Sequence, residues 1–361
     1  MNEVLTGVLL KGLEAVQKVN KGMGKLNMDK ITISVEGETM TINSINFNHQ
    51  VQMTIPVDHG HNFSTGIIGL EKMIKALKKF DTLTTFELDG ERIIVSDNKK
   101  KVQLIISDTD GKNDLIKDNP FIVSGVKLNE AYTKVKKSIC KEDSRPILTG
   151  VHFKNNYMET VDGYRISQVK ITEPHFENDF VIDPKSLEII LPVAKKDKLD
   201  VTIATTDKEF TLTTGDTSYS LSITGRLFEG EFLKTEQVFS NDSEYSLSFS
   251  ENKELLSELE FIKDMAGVTE TGKPQPIRCL LNNDKMIVCD TSENTSTTVQ
   301  FDKLDGKIKD VFKIAFNPNY MLDAIKNISG AFTMQFISHL TPCIISNEQE
   351  KYLVLPVRLN N

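Results

Sequence analysis

Residues 180–196 read FVIDPKSLEIILPVAKK, an apolar strand that leads directly into a helix with its own start signal. Asp183 suits the N-cap position because its carboxylate can accept a hydrogen bond from a free backbone N–H, and Pro184 suits the first helical position. Three strand-like segments follow, at Val201–Ala204, Phe210–Thr213 and Tyr219–Ile223. The stretch therefore predicts a unit of one strand, one capped helix and three further strands.

The same unit occurs twice more in the chain. One copy has a helical pattern over Leu70–Phe80 and a hairpin turn at Asp89-Gly90. Its strands are Thr85–Leu88, Arg92–Ser96 and Val102–Ser107. The other copy starts at Phe312–Phe316 and has a helix over Pro318–Ile328 that is capped by Asn317. Its strands are Phe332–Ile337, Cys343–Ser346 and Tyr352–Val357.

A second helix candidate and further strands precede each copy. These helices are Asn2–Val19, Lys127–Cys140 and Asn252–Met265. Alternating strands follow them, such as Lys30–Val35 with Met40–Ile45 and Ile277–Leu281 with Met286–Cys289. The repetition predicts three similar domains, 1–120, 121–241 and 242–361, with boundaries near Pro120 and Asn241. The predicted class is α+β, with two helices per domain packed on antiparallel sheets.

The length and hydropathy fit several domains of a soluble protein. At 361 residues the chain exceeds an ordinary single core, which stops growing near ~250 to 300 residues. No apolar run approaches the ~18 residues that span a bilayer. Met1–Leu10 lacks the basic start and the cleavage site of a secretory signal. We therefore expect a cytoplasmic protein without membrane contact.

The sequence contains no evident catalytic, metal-binding or phosphate-binding motif. The four cysteines are scattered without CxxC spacing, which predicts reduced structural thiols. His59-Gly60-His61 has no third metal ligand nearby, and Gly24-Lys25 lacks the Ser or Thr of a phosphate loop. There is no nucleophile elbow and no evident pair of catalytic carboxylates. The sequence predicts no catalytic residue, no metal and no cofactor.

The net charge of −8 hides a sorting of charge along the chain. Four lysine-rich stretches, residues 11–25, 70–80, 127–141 and 184–198, together carry +12, so the remainder carries −20. Local positive charge is what phosphate binding requires. Residues 251–266 differ, because five acids and two lysines give them −3. The first helix of the third predicted domain therefore lacks the basic stripe.

The helix that begins at Lys127 shows how the lysines are arranged. Apolar residues build one face, while Lys134, Lys137 and Lys141 follow Lys127 at seven, ten and fourteen positions. Lysines on one exposed helix face usually serve solvation, but four such helices at corresponding places favour contact with a polyanion. No aromatic residues interleave, so the expected contact is with phosphates of duplex DNA and is independent of sequence. The lysines expected to face DNA are Lys11, Lys18, Lys72, Lys75, Lys79, Lys127, Lys134, Lys137, Lys141 and Lys196.

Several segments resemble the bacterial DNA polymerase III beta subunit, or sliding clamp, family. Residues 145–151 (RPILTGV) and 160–166 (TVDGYRI) are similar to the family's strand and TDGHRL loop. Residues 316–325 (FNPNYMLDAI) resemble its FNxxYLLDxL helix start, and residues 352–359 (YLVLPVRL) resemble its YVVMPMRL ending. These matches cover the last two predicted domains in order, whereas the first domain matches by pattern only.

The resemblance implies a processivity factor that catalyses nothing. Subunits of three domains would form a head-to-tail homodimer, a six-domain ring that encircles duplex DNA and tethers the polymerase. The helices would line the hole, so that the lysines face inward and the acidic remainder faces outward. By position, the turn with Lys21, Gly22, Gly24 and Lys25 corresponds to the family's DNA-contacting basic loop.

The resemblance also implies a cleft between the second and third domains that binds short peptides of the QLxLF type from polymerases and the clamp loader. Leucine and valine would line an apolar pocket, and arginine would donate hydrogen bonds to peptide carbonyls. Tyr164 replaces the usual His, and Phe232–Phe239 lacks the family's proline, so the peptide preference is expected to differ. The residues carried over to the cleft are Leu148, Val161, Gly163, Tyr164, Arg165, Ile166, Leu353, Leu355, Pro356, Val357 and Arg358.

Two other functions stay open at this point. A metal-dependent DNA-processing enzyme, such as a nuclease whose carboxylates converge only in three dimensions, would cleave DNA with magnesium as pure protein. A clamp-like interaction module without DNA tethering would fail to load onto nicked circular DNA.

Overall fold

The computed structural model describes residues 2–21, 30–45, 49–58, 61–109, 111, 114–118, 120–142, 144–171, 175–239 and 243–359. The chain forms two compact units. Unit 1 comprises Met1–Glu130, Glu173–Phe176 and Phe180–Glu229, and unit 2 comprises Ala131–Thr172, Glu177–Asp179 and Gly230–Asn361. Each unit combines elements of two predicted domains, so the division into three domains stays a prediction.

One or more strands separate successive helices along the described residues. The helices are α1 (Thr6–Lys21), α2 (Leu70–Leu77), α3 (Gly125–Val135), α4 (Pro184–Asp197), α5 (Thr235–Phe239), α6 (Lys253–Ala266) and α7 (Pro318–Asn327). The strands are β1 (Asn2–Leu5), β2 (Lys30–Glu36), β3 (Thr39–Ile45), β4 (His49–Pro56), β5 (Phe63–Ile68), β6 (Leu83–Asp89), β7 (Arg92–Ser96), β8 (Lys101–Ser107), β9 (Phe121–Ser124), β10 (Val151–Asn155), β11 (Tyr157–Val161), β12 (Arg165–Lys170), β13 (Phe176–Ile182), β14 (Asp200–Thr205), β15 (Glu209–Gly215), β16 (Ser220–Arg226), β17 (Tyr245–Phe249), β18 (Ile277–Leu281), β19 (Met286–Asp290), β20 (Ser296–Val299), β21 (Lys303–Asp305), β22 (Phe312–Phe316), β23 (Phe332–Phe336), β24 (Cys343–Ser346) and β25 (Glu350–Val354). Short 3₁₀ turns lie at Lys136–Ser138 and Pro146–Thr149.

Unit 1 is built on a twelve-stranded sheet in the order β1-β6-β7-β8-β5-β2-β3-β4-β16-β15-β14-β9. The antiparallel pair β4 and β16 connects strands of the first predicted domain to strands of the second, and Met53 lies opposite Leu221 there, with both side chains buried. The helices α1 and α4 pack together in this unit, and Lys11 of α1 forms an ion pair of 2.6 Å with Asp197 of α4. One continuous sheet therefore joins strands of the first and second predicted domains.

Unit 2 contains a nine-stranded sheet in the order β13-β10-β11-β12-β25-β24-β23-β17-β21 and a four-stranded sheet in the order β20-β19-β18-β22. Residues 177–179 of β13 belong to this unit. The helices α6 and α7 pack on each other, and their apolar faces join a buried core with side chains from both sheets. Antiparallel pairing throughout these sheets confirms the predicted α+β class.

The residues predicted to cap helices and to form a hairpin turn have these roles in the structure. The carboxylate of Asp183 accepts a hydrogen bond of 2.9 Å from the backbone N–H of Lys185. Asn317 caps α7 in the same way, through the N–H of Asn319 at 3.0 Å. Gly90 has φ +58° in the turn between β6 and β7, a backbone conformation that favours glycine. The order strand, helix and three strands is confirmed in all three copies.

The predicted helix Leu70–Phe80 ends three residues earlier, at Leu77, and two other predicted helices differ more. Residues 2–5 are not helical but form β1 on β6, with Asn2 and Val4 buried, because a partner strand completes their backbone hydrogen bonds. The predicted helix Lys127–Cys140 begins instead at Gly125 and ends at Val135, followed by a 3₁₀ turn and an extended Ile139. The predicted lysine stripe at seven, ten and fourteen positions therefore does not lie on one continuous helix.

Candidate functional site

The apolar part of the predicted peptide cleft comes together inside unit 2. Strand β12 pairs with β25, which places Ile166 opposite Leu353. Leu353 in turn lies opposite Ile344 of β24. The residues of this buried apolar cluster, here called the cleft cluster, are Leu148, Val161, Ile166, Ile344 and Leu353. Four of the five were predicted, and Ile344 was missed because only the strand pairing brings it there.

A tight turn at residues 162–165 forms the rim of the cleft cluster. The carboxylate of Asp162 accepts hydrogen bonds from the N–H groups of Tyr164 at 3.0 Å and of Arg165 at 3.1 Å, and Gly163 has φ +86°. The turn leaves the Tyr164 side chain 58% exposed. The N–H of Leu355, whose side chain is 37% exposed, donates to the carbonyl of Tyr164 at 2.9 Å. Two large apolar side chains thus face solvent beside a buried apolar cluster, as a peptide site requires.

Arg165 has a different role from the predicted one. Its Nε–H donates to Asp162 at 2.8 Å, its Nη1 donates to Asp323 at 2.7 Å, and its Nη2 donates to the carbonyl of Lys137. The guanidinium also lies over the Tyr320 ring at 4.4 Å. The donors that were expected to bind peptide carbonyls hold the turn to α7 instead.

The remaining predicted cleft residues lie in the chain end after β25. Pro356 and Val357 are half-buried, and the N–H of Val357 donates to the carbonyl of Ala315 at 2.8 Å. Arg358 is exposed, so its guanidinium is available to donate hydrogen bonds to a ligand at this end of the cleft. Tyr320, which the sequence did not assign to the cleft, stacks on Tyr164 with ring centroids 6.2 Å apart.

The predicted DNA-facing lysines of unit 1 are mostly exposed on helices. Lys72, Lys75 and Lys79 are on or just after α2, and the Lys72 ammonium donates to the carbonyl of Gln103. Lys11 is different, because it is paired with Asp197 and lies over the Tyr219 ring at 4.7 Å. Exposed lysines also include Lys18, Lys127 and Lys196. Lys25 and the side chain of Lys21 lie outside the described residues.

In unit 2 the structure gives internal partners to two of the predicted lysines. The Lys134 ammonium contacts the buried carboxylate of Glu350 and donates to Ser329 at 2.8 Å. Lys137 forms an ion pair of 2.6 Å with Asp323. Lys141 is exposed beyond the 3₁₀ turn. Lys134 and Lys137 therefore stabilise the fold of unit 2.

Replacing Lys134 is expected to destabilise unit 2. Lys134→Glu would set a second carboxylate against Glu350, which is only 3% exposed, and an unpaired buried charge is costly. Because the lysine side chain is 25% exposed, we expect a loss of about 2 kcal/mol in the free energy of unfolding rather than the larger cost of a fully buried pair. Urea unfolding measures it, with Lys141→Glu as the exposed control. Equal midpoints for the two variants would contradict the structural role.

The described residues contain no cluster of three or more His, Cys, Asp or Glu side chains that would hold a metal ion. Register places Cys279 opposite Val288 and Cys289 opposite Arg278, so the two cysteines are not cross-strand partners, and both are free thiols. None of the helices in the described part of the chain is both long and apolar enough to cross a bilayer.

The chain is similar in sequence to bacterial sliding clamps, the beta subunits of DNA polymerase III. Residues 242–358 match the family described as DNA polymerase III beta subunit, C-terminal domain. The chain is 23% identical over 358 residues to the beta sliding clamp of Lactococcus lactis subsp. lactis, with 92% of each chain covered. It is 25% identical over 298 residues to the beta sliding clamp of Streptococcus pneumoniae, which covers 77% of this chain and 76% of the relative.

Solved structures show the same fold over nearly the whole chain. The DNA polymerase sliding clamp of Bacillus subtilis superposes with a TM-score of 0.86 at 18% identity, covering 99% of both chains. The DNA polymerase III beta subunit of Thermotoga maritima gives a TM-score of 0.81 at 20% identity, again over 99% of both chains. The fold is thus shared over almost the full length, although few side chains are identical.

Proposed function

We propose that this chain, a member of the DNA polymerase III beta subunit family, is a sliding clamp that encircles duplex DNA and tethers a replicative polymerase without catalysing a reaction. The sorting of charge carries the proposal: four lysine-rich stretches hold +12 in a chain of net charge −8, and most of their described predicted lysines are exposed. In a closed ring such lysines supply attraction to phosphates that does not depend on base sequence. The place of action is the cytoplasm, where bacterial DNA is replicated.

The proposed assembly is a head-to-tail homodimer of three-domain subunits with boundaries near Pro120 and Asn241. Each predicted domain would supply two helices, α1 with α2, α3 with α4 and α6 with α7, so two subunits would supply twelve. A head-to-tail contact joins two different surfaces and closes into a ring when the rotation fits. Unit 2 offers exposed apolar side chains at Phe261, Met265 and Val268, while unit 1 offers Leu88 and Ile105.

The proposed partners are the polymerase and the clamp loader, which would dock short apolar peptides on the cleft cluster. Tyr164 and Leu355 would make the first contacts, because they are exposed at its rim. Burial of apolar side chains contributes about 25 cal/mol per Å². Burial of two or three consecutive apolar side chains of a peptide would therefore supply its affinity for the cleft cluster.

The function is tested by retention on circular DNA. The protein should have twice the mass of one subunit and a central hole in electron micrographs. With a clamp loader and ATP it should stay on nicked circular DNA and be lost when the circle is cut. The variant Phe261→Asp/Met265→Asp should have the mass of one subunit and lose retention, while still binding the partner peptide. Equal retention on linear and circular DNA, or magnesium-dependent cleavage of DNA, would overturn the proposal.

A further inference from the structure

One wall of the cleft cluster is formed by the chain itself. This wall segment, residues 230–239, includes α5, and its Phe232, Val238 and Phe239 pack against the cleft cluster. Gly230, with φ +117°, starts the segment. It contains no proline, whereas the family that the sequence resembles carries a proline in this loop. Something other than proline must therefore hold the wall in position.

A buried carboxylate fixes the wall segment to the sheet. Glu159 of β11 is fully buried and accepts a hydrogen bond of 2.8 Å from the hydroxyl of Thr235, the first residue of α5. The same carboxylate is bonded to His152 Nδ1 at 2.7 Å and accepts from Gln168 Nε2 at 2.8 Å. A buried carboxylate is costly unless it is fully bonded, so its three partners are held in one geometry.

Two further contacts align the wall segment with strand β10. The His152 ring stacks on Phe232 with centroids 4.2 Å apart. Next to it, Lys154 and Glu236 form an ion pair of 2.7 Å. The hydrogen bond between them raises the pKa of Lys154 and lowers the pKa of Glu236. Both pKa shifts favour the charged forms, so the ion pair persists at neutral pH.

We propose that Glu159, with His152 and Thr235, is a positioning device that holds the aromatic wall of the peptide cleft and so sets which apolar anchor the cleft accepts. The proposal rests on the peptide-binding function proposed above. Glu159 itself is fully buried and acts through Phe232 and the neighbouring wall side chains. The ligand class is a short peptide whose terminal anchor is aromatic or leucine, because that anchor would pack against Phe232 and Phe239.

The test uses Thr235→Val, which keeps the shape of the side chain but removes the hydroxyl that bonds Glu159. The probe is a fluorescent peptide, Gln-Leu-Ser-Leu-Phe, and a second peptide in which the final Phe is Ala. We expect Thr235→Val to bind the first peptide about 10-fold more weakly than the original protein does. Thr235→Ser keeps the hydroxyl and should bind this peptide like the original protein. The mass of the dimer should not change.

A double-mutant cycle separates positioning from general loss of stability. If the wall recognises the anchor, the Phe-to-Ala change in the peptide should cost several-fold less in Thr235→Val than in the original protein. A uniform weakening of both peptides would overturn the proposal. Glu236→Gln is a milder variant at a 53% exposed side chain, expected to weaken the first peptide about 3-fold with the same coupling. If Thr235→Val does not fold, unchanged binding by Glu236→Gln overturns it.

The two proposals fail in different ways. If the original protein does not bind the first peptide at all, the peptide cleft is wrong and the positioning device is overturned with it. If the original protein binds and Leu355→Asp does not, while Thr235→Val binds both peptides as the original does, only the positioning device is overturned.

Discussion

Leu355→Asp should weaken binding of a short apolar peptide by at least about 100-fold while leaving the dimer intact. The side chain is 37% exposed, so the fold does not depend on its burial. A bound peptide would cover it, and the variant loses about 2 kcal/mol of apolar burial and must also desolvate a carboxylate. Fluorescence anisotropy of the labelled peptide measures the loss.

Leu340→Asp is the matched control for this prediction. Leu340 is also in unit 2 and is 55% exposed, but its N–H donates to the hydroxyl of Ser338 in the turn between β23 and β24, whereas the N–H of Leu355 donates to the carbonyl of Tyr164 at the rim of the cleft cluster. We expect it to leave peptide affinity unchanged. If Leu355→Asp binds the peptide as tightly as Leu340→Asp does, the cleft assignment is wrong.

Reversing four exposed lysines should remove most of the attraction to DNA. The variant changes Lys79, Lys127, Lys141 and Lys196 to Glu, none of which has an ion pair within the described part of the chain. Each lost phosphate contact reduces the magnitude of the slope of log affinity against log salt by about 0.9, so losing the eight contacts of a dimer would reduce that magnitude by roughly 7. Binding to a short duplex at several salt concentrations measures the slope, and peptide affinity should stay unchanged.

The control for the lysine variant carries the same change in net charge. It reverses four exposed lysines that are not predicted to face DNA, Lys99, Lys208, Lys234 and Lys307. A general electrostatic effect would lower the salt slope equally in both variants, and that result would argue against a specific DNA-facing surface.

The structure also changes how the DNA prediction is tested. The helical stripe of Lys127, Lys134, Lys137 and Lys141 was inferred from spacing alone. Lys134 and Lys137 are engaged by Glu350 and Asp323, so their reversal would mix a loss of stability with a loss of DNA contact. Lys141 and Lys127 lack this complication, which is why the variant above uses them.

The sequence by itself determined the features that depend on neighbouring residues. Asp183 and Asn317 cap helices through bonds to N–H groups two residues away, and Gly90 supplies the turn at its own position. The repeated order of strand, helix and three strands follows from such local signals and from apolar periodicity. The resemblance to the family's motifs then predicted four members of the cleft cluster, because these residues lie within the matching segments.

Tertiary structure alone decided which distant residues meet. Residues 2–5 form a strand because β6 provides backbone partners, which local propensity does not reveal. Glu159 and Thr235 are 76 positions apart, and Lys134 and Glu350 are 216 apart. Such pairs form because a buried charged group requires a hydrogen-bonding partner, which can be distant in sequence. The register of the sheets determines which residue becomes that partner.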